Sequence, residues 1–262
     1  MKRRLAFVSV SLLAAAMGAQ EPKLEPAPAS PSAREVAERV ENTFRGDSGF
    51  LDATMIVKSP RLPEPRRMRF QSWDDRGGKR SFVRVLEPPK DAGTAFLKLA
   101  SNLWSYVPRV ERTIRIPPSM MLQSWMGSDF TNDDLVRESS TLDDYEHAWV
   151  GVDPSFAGSR AFVIAHAPKE GAPVVWGRIV VWVDAARFVP LRQEFYDESG
   201  EKLRVMTLGE LKDVGGRFYP HRWAMVPLDK PGHETRIEVN EIRFGEKFAD
   251  EIFTQRNLTR RE

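Results

Sequence analysis

The sequence predicts a mainly β protein in which a curled antiparallel sheet carries one or two helices on its concave side. Thirteen short segments alternate apolar and polar residues as strands do. Consecutive segments are separated by short turns rich in glycine and acids, which is typical of an antiparallel meander. The apolar phase also slips within Thr235–Phe244, because Ile237 and Val239 lie on one face while Ile242 and Phe244 lie on the other. This slip predicts a β-bulge, which lets a large sheet curl.

The first two predicted strands are marked by Ala53, Met55 and Val57 and by Met68 and Phe70. The others are predicted at Phe82–Leu86, Ala95–Leu99, Leu103–Val107, Arg112–Ile116, Glu146–Val150, Arg160–His166, Val174–Val183, Leu191–Tyr196, Lys202–Leu208, Phe218–Val226 and Thr235–Phe244. Both faces of Val174–Val183 are largely apolar. We therefore expect one face to meet the core and the other to meet a cavity or lid.

Three helices are predicted. Ser32 is a candidate N-cap for an amphipathic helix that presents Val36, Val40 and Phe44 on one face and ends near Gly46. A second helix is predicted between an N-cap at Ser119 and a glycine at position 127, and a third begins at Thr131. The acids that follow Thr131 favour the positive end of a helix.

The amino terminus predicts export. Lys2, Arg3 and Arg4 precede an apolar run at Leu5–Ala16, and the small residues that follow are typical of a cleaved secretory signal peptide over residues 1–19. Residues 20–32, rich in Pro, Ala and Ser, are predicted to be a flexible linker. A single domain is expected over 33–262, and the mature protein is expected in the periplasm.

Composition excludes several classes of function. Without the three leader cations, 36 of the 39 Lys and Arg residues remain against 37 Asp and Glu, a net charge of −1 that gives no indication of a nucleic-acid partner. The absence of cysteine excludes disulfides and thiolate metal sites. The four histidines have no metal-ligand spacing, and no nucleophile elbow or phosphate loop is present, so we expect neither an enzyme nor a bound cofactor.

One segment is unusually apolar for so polar a chain. Ile116–Phe130 reads IPPSMMLQSWMGSDF, and five of the seven residues from Met120 to Met126 are large and apolar. One interpretation is a core helix that plugs one end of a barrel, because methionine fills irregular gaps. The alternative is a mobile lid hinged at the prolines and the glycine, with methionines that repack around different ligands.

The run from Leu103 to Arg112, followed by Ile116-Pro117 and by Gln123 to Phe130, resembles the outer-membrane lipoprotein-sorting family, in its LolA-like branch. Resemblance to LolA, RseB and the LppX and LprG carriers is more distant. It implies an unclosed β-barrel of about eleven strands with a helical lid over a hydrophobic cavity for acyl chains. On this basis, we expect two sets of side chains at the cavity: Trp104 and Tyr106 at its wall or mouth, and Met120, Met121, Leu122, Trp125, Met126 and Phe130 on the inner face of the lid.

Three charged residues are candidates for gating. Arg109 and Arg112 have three interpretations. They contact lid carbonyls or Asp129, they bind a lipid headgroup, or they are exposed cations at a strand end. The resemblance to LolA implies a latch arginine, but no motif assigns it.

The leading functional hypothesis is a periplasmic carrier of a lipid or lipoprotein between the inner and outer membranes. The resemblance implies an inner-membrane transporter, of the RND type, and an outer-membrane acceptor as partners. An RseB-like sensor of envelope state is the alternative. A hydrolase would need a catalytic pair that the sequence does not present.

Overall fold

The computed structural model describes residues 23–100, 102–136, 141–172 and 174–260. The predicted signal peptide and residues 20–22 lie outside this part of the chain. The described residues form one antiparallel sheet of thirteen strands with helices against it. No helix in the described ranges has the length and apolar character needed to cross a bilayer.

The helices and strands follow one another along the chain as a meander. The helices are α1 (Ala33–Arg45), α2 (Asn132–Val136), α3 (Thr141–Asp144) and α4 (Gln255–Leu258). The strands are β1 (Ser48–Lys58), β2 (Arg66–Asp75), β3 (Arg80–Glu87), β4 (Ala95–Leu99), β5 (Asn102–Val107), β6 (Arg112–Ile116), β7 (Tyr145–Phe156), β8 (Ser159–Pro168), β9 (Arg178–Asp184), β10 (Pro190–Tyr196), β11 (Lys202–Val214), β12 (Arg217–Pro227) and β13 (Glu234–Phe244).

The sheet is open, and its strand order is β6-β5-β4-β3-β2-β1-β13-β12-β11-β10-β9-β8-β7. The first and last strands pair at its centre, while β6 and β7 form the two edges. The predicted fold class is therefore confirmed. The strand count implied by the family resemblance, about eleven, is too low, whereas the alternation of residues located all thirteen.

The predicted bulge lies in β13 beside β1. Asp52 pairs with Glu241 and Ala53 pairs with Val239, so Asn240 is the extra residue. The Asn240 amide donates to the buried Asp52 carboxylate at 2.8 Å, and Arg69 donates to the same carboxylate at 2.9 and 3.0 Å. The bulge is thus fixed by a buried charge that is fully paired, which offsets the cost of burying it.

Helix α1 begins and ends as the sequence predicts. Ser32 and Glu35 form a capping box, in which the Glu35 amide donates to the Ser32 hydroxyl at 3.2 Å and the Ser32 amide donates to the Glu35 carboxylate at 2.7 Å. Gly46 caps the carboxyl end with a positive φ of 64°. The buried face, with Val36 and Phe44, lies on the concave face of the sheet.

Two further segments pack against the sheet. Residues after β13 cross to the convex face, where Phe253 and Leu258 are buried against Phe82 and Leu97. Within the segment predicted as a flexible linker, Glu25 pairs with Val152 on the edge strand β7 through two backbone hydrogen bonds of 2.8 and 2.9 Å. This part of the linker therefore contacts the domain.

The segment Val174–Val183, which is predicted as one strand with two apolar faces, is not a continuous strand. β9 begins at Arg178, and Trp176 lies before it with its ring buried on the concave side. Ile179 and Val181 face the core and the cavity together. The opposite face carries Trp182, which packs on Phe156 at the convex side, with ring centroids 5.9 Å apart. The core and the cavity therefore share one face, contrary to expectation.

Candidate functional site

A cavity of about 270 Å³ lies between the concave face of the sheet and the segments that cover it. Its floor is formed by strands from both halves of the sheet, and its roof is formed by α1 and by the segment that leads into α2. The apolar lining consists chiefly of Val40, Phe44, Leu51, Phe70, Val83, Trp125, Phe130, Ile164, Trp176, Ile179, Val181, Phe195, Met206, Tyr219, Trp223, Ile237, Ile242 and Phe244. Aromatic and branched side chains from distant parts of the sequence thus converge on one space.

Helix α1 is held on the floor by aromatic packing. The Phe44 ring stacks on Tyr219 with centroids 5.2 Å apart and lies 5.4 Å from Trp223. Aromatic pairs at such distances contribute stability in addition to that gained from the apolar area that they bury.

Several polar and charged side chains also line the cavity. Near the end of α1, Arg45 forms ion pairs with Glu41 at 3.2 Å and with Asp74 at 3.3 Å. Burial disfavours the charged guanidinium, but the Asp74 and Glu41 carboxylates outweigh burial and raise the pKa of Arg45. Arg45 therefore remains a fixed cation at the cavity wall.

The segment predicted to be a helix from Ser119 to Gly127 is not one. It contains two short 3₁₀ turns, Pro118–Met120 and Trp125–Gly127, which are separated by a turn at residues 121–122 and an isolated β-bridge at Ser124. The Trp125 amide donates to the Phe130 carbonyl at 2.8 Å, and the Asn132 amide donates to the Gln123 carbonyl at 3.0 Å. These bonds fold the segment back on itself instead of forming helical turns. We call residues 117–131 the lid segment.

The lid segment places only some of the predicted residues at the cavity. Trp125, 2% exposed, and Phe130 line it, and the Trp125 ring lies edge-on to Phe70 at 5.3 Å. Met121 is buried in the core, and Met120 and Met126 are half-buried against it. The prediction for Leu122 is wrong, because its side chain is 53% exposed and faces away from the core.

Trp104 and Tyr106 do not line the cavity. Their side chains lie on the convex face of the sheet, in the cluster that the carboxyl-terminal Phe253 and Leu258 cover. The sequence shows that the two residues share one face of β5, but the covering segment is about 150 residues away. The placement at the cavity wall is therefore corrected.

The candidate gate residues also have other roles. Arg109 and Arg112 are exposed, in the β5–β6 turn and at the start of β6. Asp129, in contrast, is a lid contact. Its carboxylate accepts from the Thr235 hydroxyl at 2.7 Å, and its amide donates to the same hydroxyl at 2.9 Å. The partner of Asp129 is thus β13 rather than either predicted arginine.

Ser59, His233 and Asp129 lie in line beside the lid segment. Ser59 Oγ is 3.1 Å from His233 Nε2, and His233 Nδ1 is 3.7 Å from the Asp129 carboxylate. The order is that of a hydrolase triad, but 3.7 Å is too long for the hydrogen bond that would orient the imidazole. The Arg61 amide also donates to Ser59 Oγ. We interpret the three residues as a contact between the lid segment and two turns of the sheet.

The strongest polar contact to this roof was missed by sequence reasoning. Arg204, on β11, donates to both Asp134 oxygens at 2.7 Å. The Arg204 guanidinium also lies 4.3 Å from the ring centroids of Trp176 and of Phe195. Burial raises the pKa of Asp134, but Arg204 and Thr131 outweigh burial and hold that pKa below its usual value. The pair is therefore ionised and joins the floor of the cavity to α2.

The signal for Arg204 was present in the sequence. Arg204, Met206 and Leu208 alternate along β11 and are all buried on the concave face. A cation in the apolar phase of a strand needs a buried anion. The anion, Asp134, follows the N-cap at Thr131, whose hydroxyl accepts from the Asp134 amide at 3.2 Å as predicted for this helix start.

Arg66, on β2, holds the other end of the lid segment. Its guanidinium donates to the Met126 carbonyl. Met126 has a positive φ of 51° and Gly127 has one of 71°, so the chain turns sharply where Arg66 binds it. The lid segment is thus tied by Arg66, Thr235 and, through α2, Arg204.

His166, which lines the cavity, forms a pair with His147. His147 Nδ1 and His166 Nδ1 are 2.8 Å apart, so one imidazole donates to the other. His166 is 4% exposed. Burial, and to a lesser extent the neighbouring His147, lower the pKa of His166 to about 3. Among the described residues, no group of three or more His, Asp or Glu side chains is arranged to hold a metal ion.

Known proteins share this architecture. A family model described as "Uncharacterized protein" matches residues 77–260, and the chain belongs to that family. The structure of an outer-membrane lipoprotein-sorting protein domain from Vibrio parahaemolyticus is 26% identical, with a TM-score of 0.75 over 87% of this chain and 98% of that one. The chain therefore has a LolA-like fold, similar to that of this lipoprotein-sorting domain.

Other solved structures share the fold of this LolA-like protein. A LolA superfamily protein from Nitrosomonas europaea is 22% identical, with a TM-score of 0.73 over 87% of this chain and 100% of that one. A DUF1329 family protein from Desulfovibrio piger is 20% identical, with a TM-score of 0.78 over 86% of this chain and 97% of that one. No curated protein matches the sequence.

Proposed function

We propose that this LolA-like protein is an exported periplasmic carrier that binds the acyl chains of a lipid or lipoprotein in the concave cavity. The observation that carries the proposal is an apolar cavity between the concave face of the sheet and a roof formed by α1, the lid segment and α2. Binding rather than catalysis fits the apolar lining and the lid contacts described above. The likeness to the lipoprotein-sorting domain from Vibrio parahaemolyticus supports the same cargo class.

A lipid carrier avoids the large free-energy cost of exposing acyl chains to water. Each methylene exposed to water costs about 0.8 kcal/mol, so one sixteen-carbon chain costs on the order of 12 kcal/mol. A carrier whose cavity is about as apolar as a membrane makes exchange nearly thermoneutral. The direction of transport is then set by its partners: an inner-membrane transporter, of the RND type that the family resemblance implies, and an outer-membrane acceptor.

The size of the cavity requires that its roof move. At about 270 Å³ it lies just below the range of roughly 300–1,000 Å³ for ligand pockets. A long acyl chain needs more room than this. The lid segment and α2 are fastened to the sheet by polar contacts to Arg66, Thr235 and Arg204, in addition to the packing of Trp125 on Phe70. We infer that they swing away from the floor when cargo enters.

A polar group at the cavity fits the head of an acyl lipid. Among the described residues, the Trp125 indole N–H is buried without a hydrogen-bond partner. An unpaired buried donor costs about 1–3 kcal/mol, and an ester or amide oxygen of the cargo would satisfy it. Trp125 would then recognise the linkage while its ring contacts the chain.

The proposal is tested by titration with a fluorescent fatty acid. Val181 is 4% exposed and lines the floor, so Val181→Trp fills the cavity. We expect wild-type protein to bind the probe with saturation and Val181→Trp to bind at least about tenfold more weakly. Val150→Trp is the matched control, because Val150 is 48% exposed on β7. Equal binding by all three proteins would place the probe outside this cavity, and no binding by any of them would favour an RseB-like sensor that contacts protein instead.

A further inference from the structure

Exposed apolar side chains gather at one end of the sheet. Seven large apolar residues in the described part of the chain are exposed, and four of them lie in or next to hairpin turns: Leu62, Val110, Val226 and Leu228. Scattered exposed apolar residues are ordinary, whereas a cluster marks an interaction site. We call these four residues the apolar rim.

The strand registers place the four residues at the same end. Lys58, the last residue of β1, pairs with Glu234, so the β1–β2 and β12–β13 turns are neighbours. Arg69 pairs with Glu87, and Ala95 pairs with Tyr106, so the β5–β6 turn also lies at this end. The apolar rim therefore spans three turns along one border of the sheet.

The opposite end is different in character. Its hairpin turns read Arg-Gly-Gly-Lys at 76–79, Ala-Gly at 157–158 and Gly-Gly at 215–216. None of the exposed large apolar side chains of the described residues lies in these turns. The exposed apolar surface is thus polarised along the strand direction.

Two of the three turns touch each other directly. Ser59 Oγ lies 3.1 Å from His233 Nε2, and a Cβ on Gly232 would lie 2.9 Å from Pro60 Cγ. The third turn is braced in the same way, because a Cβ on Gly93 would lie 3.2 Å from Pro108 Cγ. The prolines limit the backbone of these turns, so the rim side chains are presented on a preformed scaffold.

Cations accompany the rim. Arg61 precedes Leu62 and Arg109 precedes Val110, while Arg67 and Arg112 lie further along, after Glu64 and Glu111, and all four arginines are exposed. Residues 58–67 carry four cations and one acid. The acids of the turn at 197–201 lie beyond β12, on the other half of the sheet. The rim is therefore basic on the side of β1 to β6.

We propose that the apolar rim docks the protein on the surface of an anionic lipid bilayer. The rim residues would enter the boundary between headgroups and acyl chains, and the arginines would bind the headgroups. Convex turns with one or two apolar residues each fit a soft bilayer better than a protein partner, since a stable protein interface needs a complementary surface of about 800 Å² a side.

Docking at this end would act next to the roof of the cavity. Ser59 and His233 connect the turns to Asp129 of the lid segment, and Arg66, which begins β2, binds the Met126 carbonyl. A bilayer that engages these turns therefore lies against the contacts that hold the lid segment. The proposal does not depend on the cargo, because the rim residues lie outside the cavity.

The test is flotation of the mature protein with vesicles of phosphatidylcholine alone or with added phosphatidylglycerol. We expect binding only when the anionic lipid is present, and weaker binding as salt increases. Leu62→Asp/Leu228→Asp should reduce binding by at least about tenfold, because it removes apolar insertion and adds repulsion. Ile114→Asp/Val150→Asp, which changes exposed apolar residues on the edge strands β6 and β7, is the matched control and should bind as wild type does.

Two results would overturn the proposal. One is equal loss of binding in the rim variant and the control. The other is binding only to native membranes whose proteins are intact, which would assign the rim to a protein partner. The fluorescent fatty-acid titration separates this test from that of the carrier function, since the rim variant should bind the probe as wild type does.

Discussion

Arg204 and Asp134 form a bidentate ion pair at 2.7 Å in the interior of the protein, between β11 and α2. The Arg204 side chain is 5% exposed and that of Asp134 is 18% exposed, so water screens the pair little. Buried charges of this kind persist because each satisfies the other. The pair is consequently a strong attachment of the cavity roof that acts on charge and geometry rather than on apolar area.

Removing one partner of this pair should destabilise the protein markedly. Arg204→Met leaves the Asp134 carboxylate buried without its cation, and we expect a loss of about 3–5 kcal/mol in the free energy of unfolding. Arg204→Met/Asp134→Leu should recover much of that loss. Chemical denaturation measures both, and hydrogen exchange should show the lid segment and α2 opening first in the single variant.

Arg222→Met is the matched control for that measurement. Arg222 pairs with Glu210 at 2.9 Å, but both side chains are about half exposed, so its removal should change stability by at most about 1 kcal/mol. A loss in Arg204→Met no greater than in Arg222→Met would contradict the role assigned to the buried pair.

Stability should fall in acid because of His166. The pKa of His166 is about 3 in the folded protein against 6.5 when unperturbed, so between these values the unfolded state binds the proton and the folded state does not. The stabilisation that comes from keeping His166 neutral is therefore fully present above the unfolded-state pKa of 6.5, and it is lost progressively as the pH falls below that pKa. From about pH 7 to pH 5 the loss is about 2 kcal/mol.

Denaturation at a series of pH values checks this expectation. His166→Phe removes the titrating group, and its stability should vary less between pH 7 and pH 5. His147, whose pKa is also lowered by burial and by Arg34, should cause part of the pH dependence of stability that remains in this variant. An unchanged slope in His166→Phe would show that other groups cause the acid sensitivity.

Phe44→Ala should enlarge the cavity, so that the stability of the protein depends on whether a fatty acid is bound. Loss of a buried phenylalanine costs about 3–5 kcal/mol, and a fatty acid that fills the new space should restore part of it. Thermal unfolding with and without the fatty acid measures the recovery. Phe50→Ala is the matched control, because Phe50 is 5% exposed and packs on Trp73 at the opposite face. Equal recovery in both variants would mean that the ligand binds elsewhere.

Gly151→Ala should release the amino-terminal segment from the sheet edge. A Cβ at Gly151 would lie 2.8 Å from the Glu25 carbonyl oxygen and 2.9 Å from Leu24 Cβ. We expect the bridge between Glu25 and Val152 to break and limited proteolysis to cut near residue 25 sooner. Gly209→Ala, where nothing lies within 4 Å of the added Cβ, is the control. Equal proteolysis of the two variants would show that the contact contributes little.

Local patterns account for the parts of the fold that could be predicted from the sequence. The thirteen strands follow from alternation, the bulge at Asn240 follows from a phase slip, and α1 follows from Ser32 and Gly46. Each signal lies within a dozen residues of the element that it specifies. Sheet curvature and the position of α1 on the concave face then follow from packing.

The lid and the cavity wall could not be predicted in this way. The lid segment is not a helix because its short turns are joined by longer-range bonds: the Trp125 amide donates to the Phe130 carbonyl, and the Asn132 and Asp133 amides donate to the carbonyls of Gln123 and Met121. Trp104 and Tyr106 are covered by a carboxyl-terminal segment that no local pattern connects to them. Leu122 belongs to the same apolar run as Trp125, yet one side chain is exposed and the other is buried, because the chain turns between them.

The central claim is that the concave cavity holds acyl chains. The most direct measurement is native mass spectrometry of the mature protein purified from a bacterial periplasm, followed by organic extraction and identification of what it carried. We expect a set of acyl-lipid adducts on the wild-type protein that is absent from Val181→Trp and present on Val150→Trp. An unliganded mass for the wild type, or adducts that persist in Val181→Trp, would contradict a lipid-binding cavity at this site.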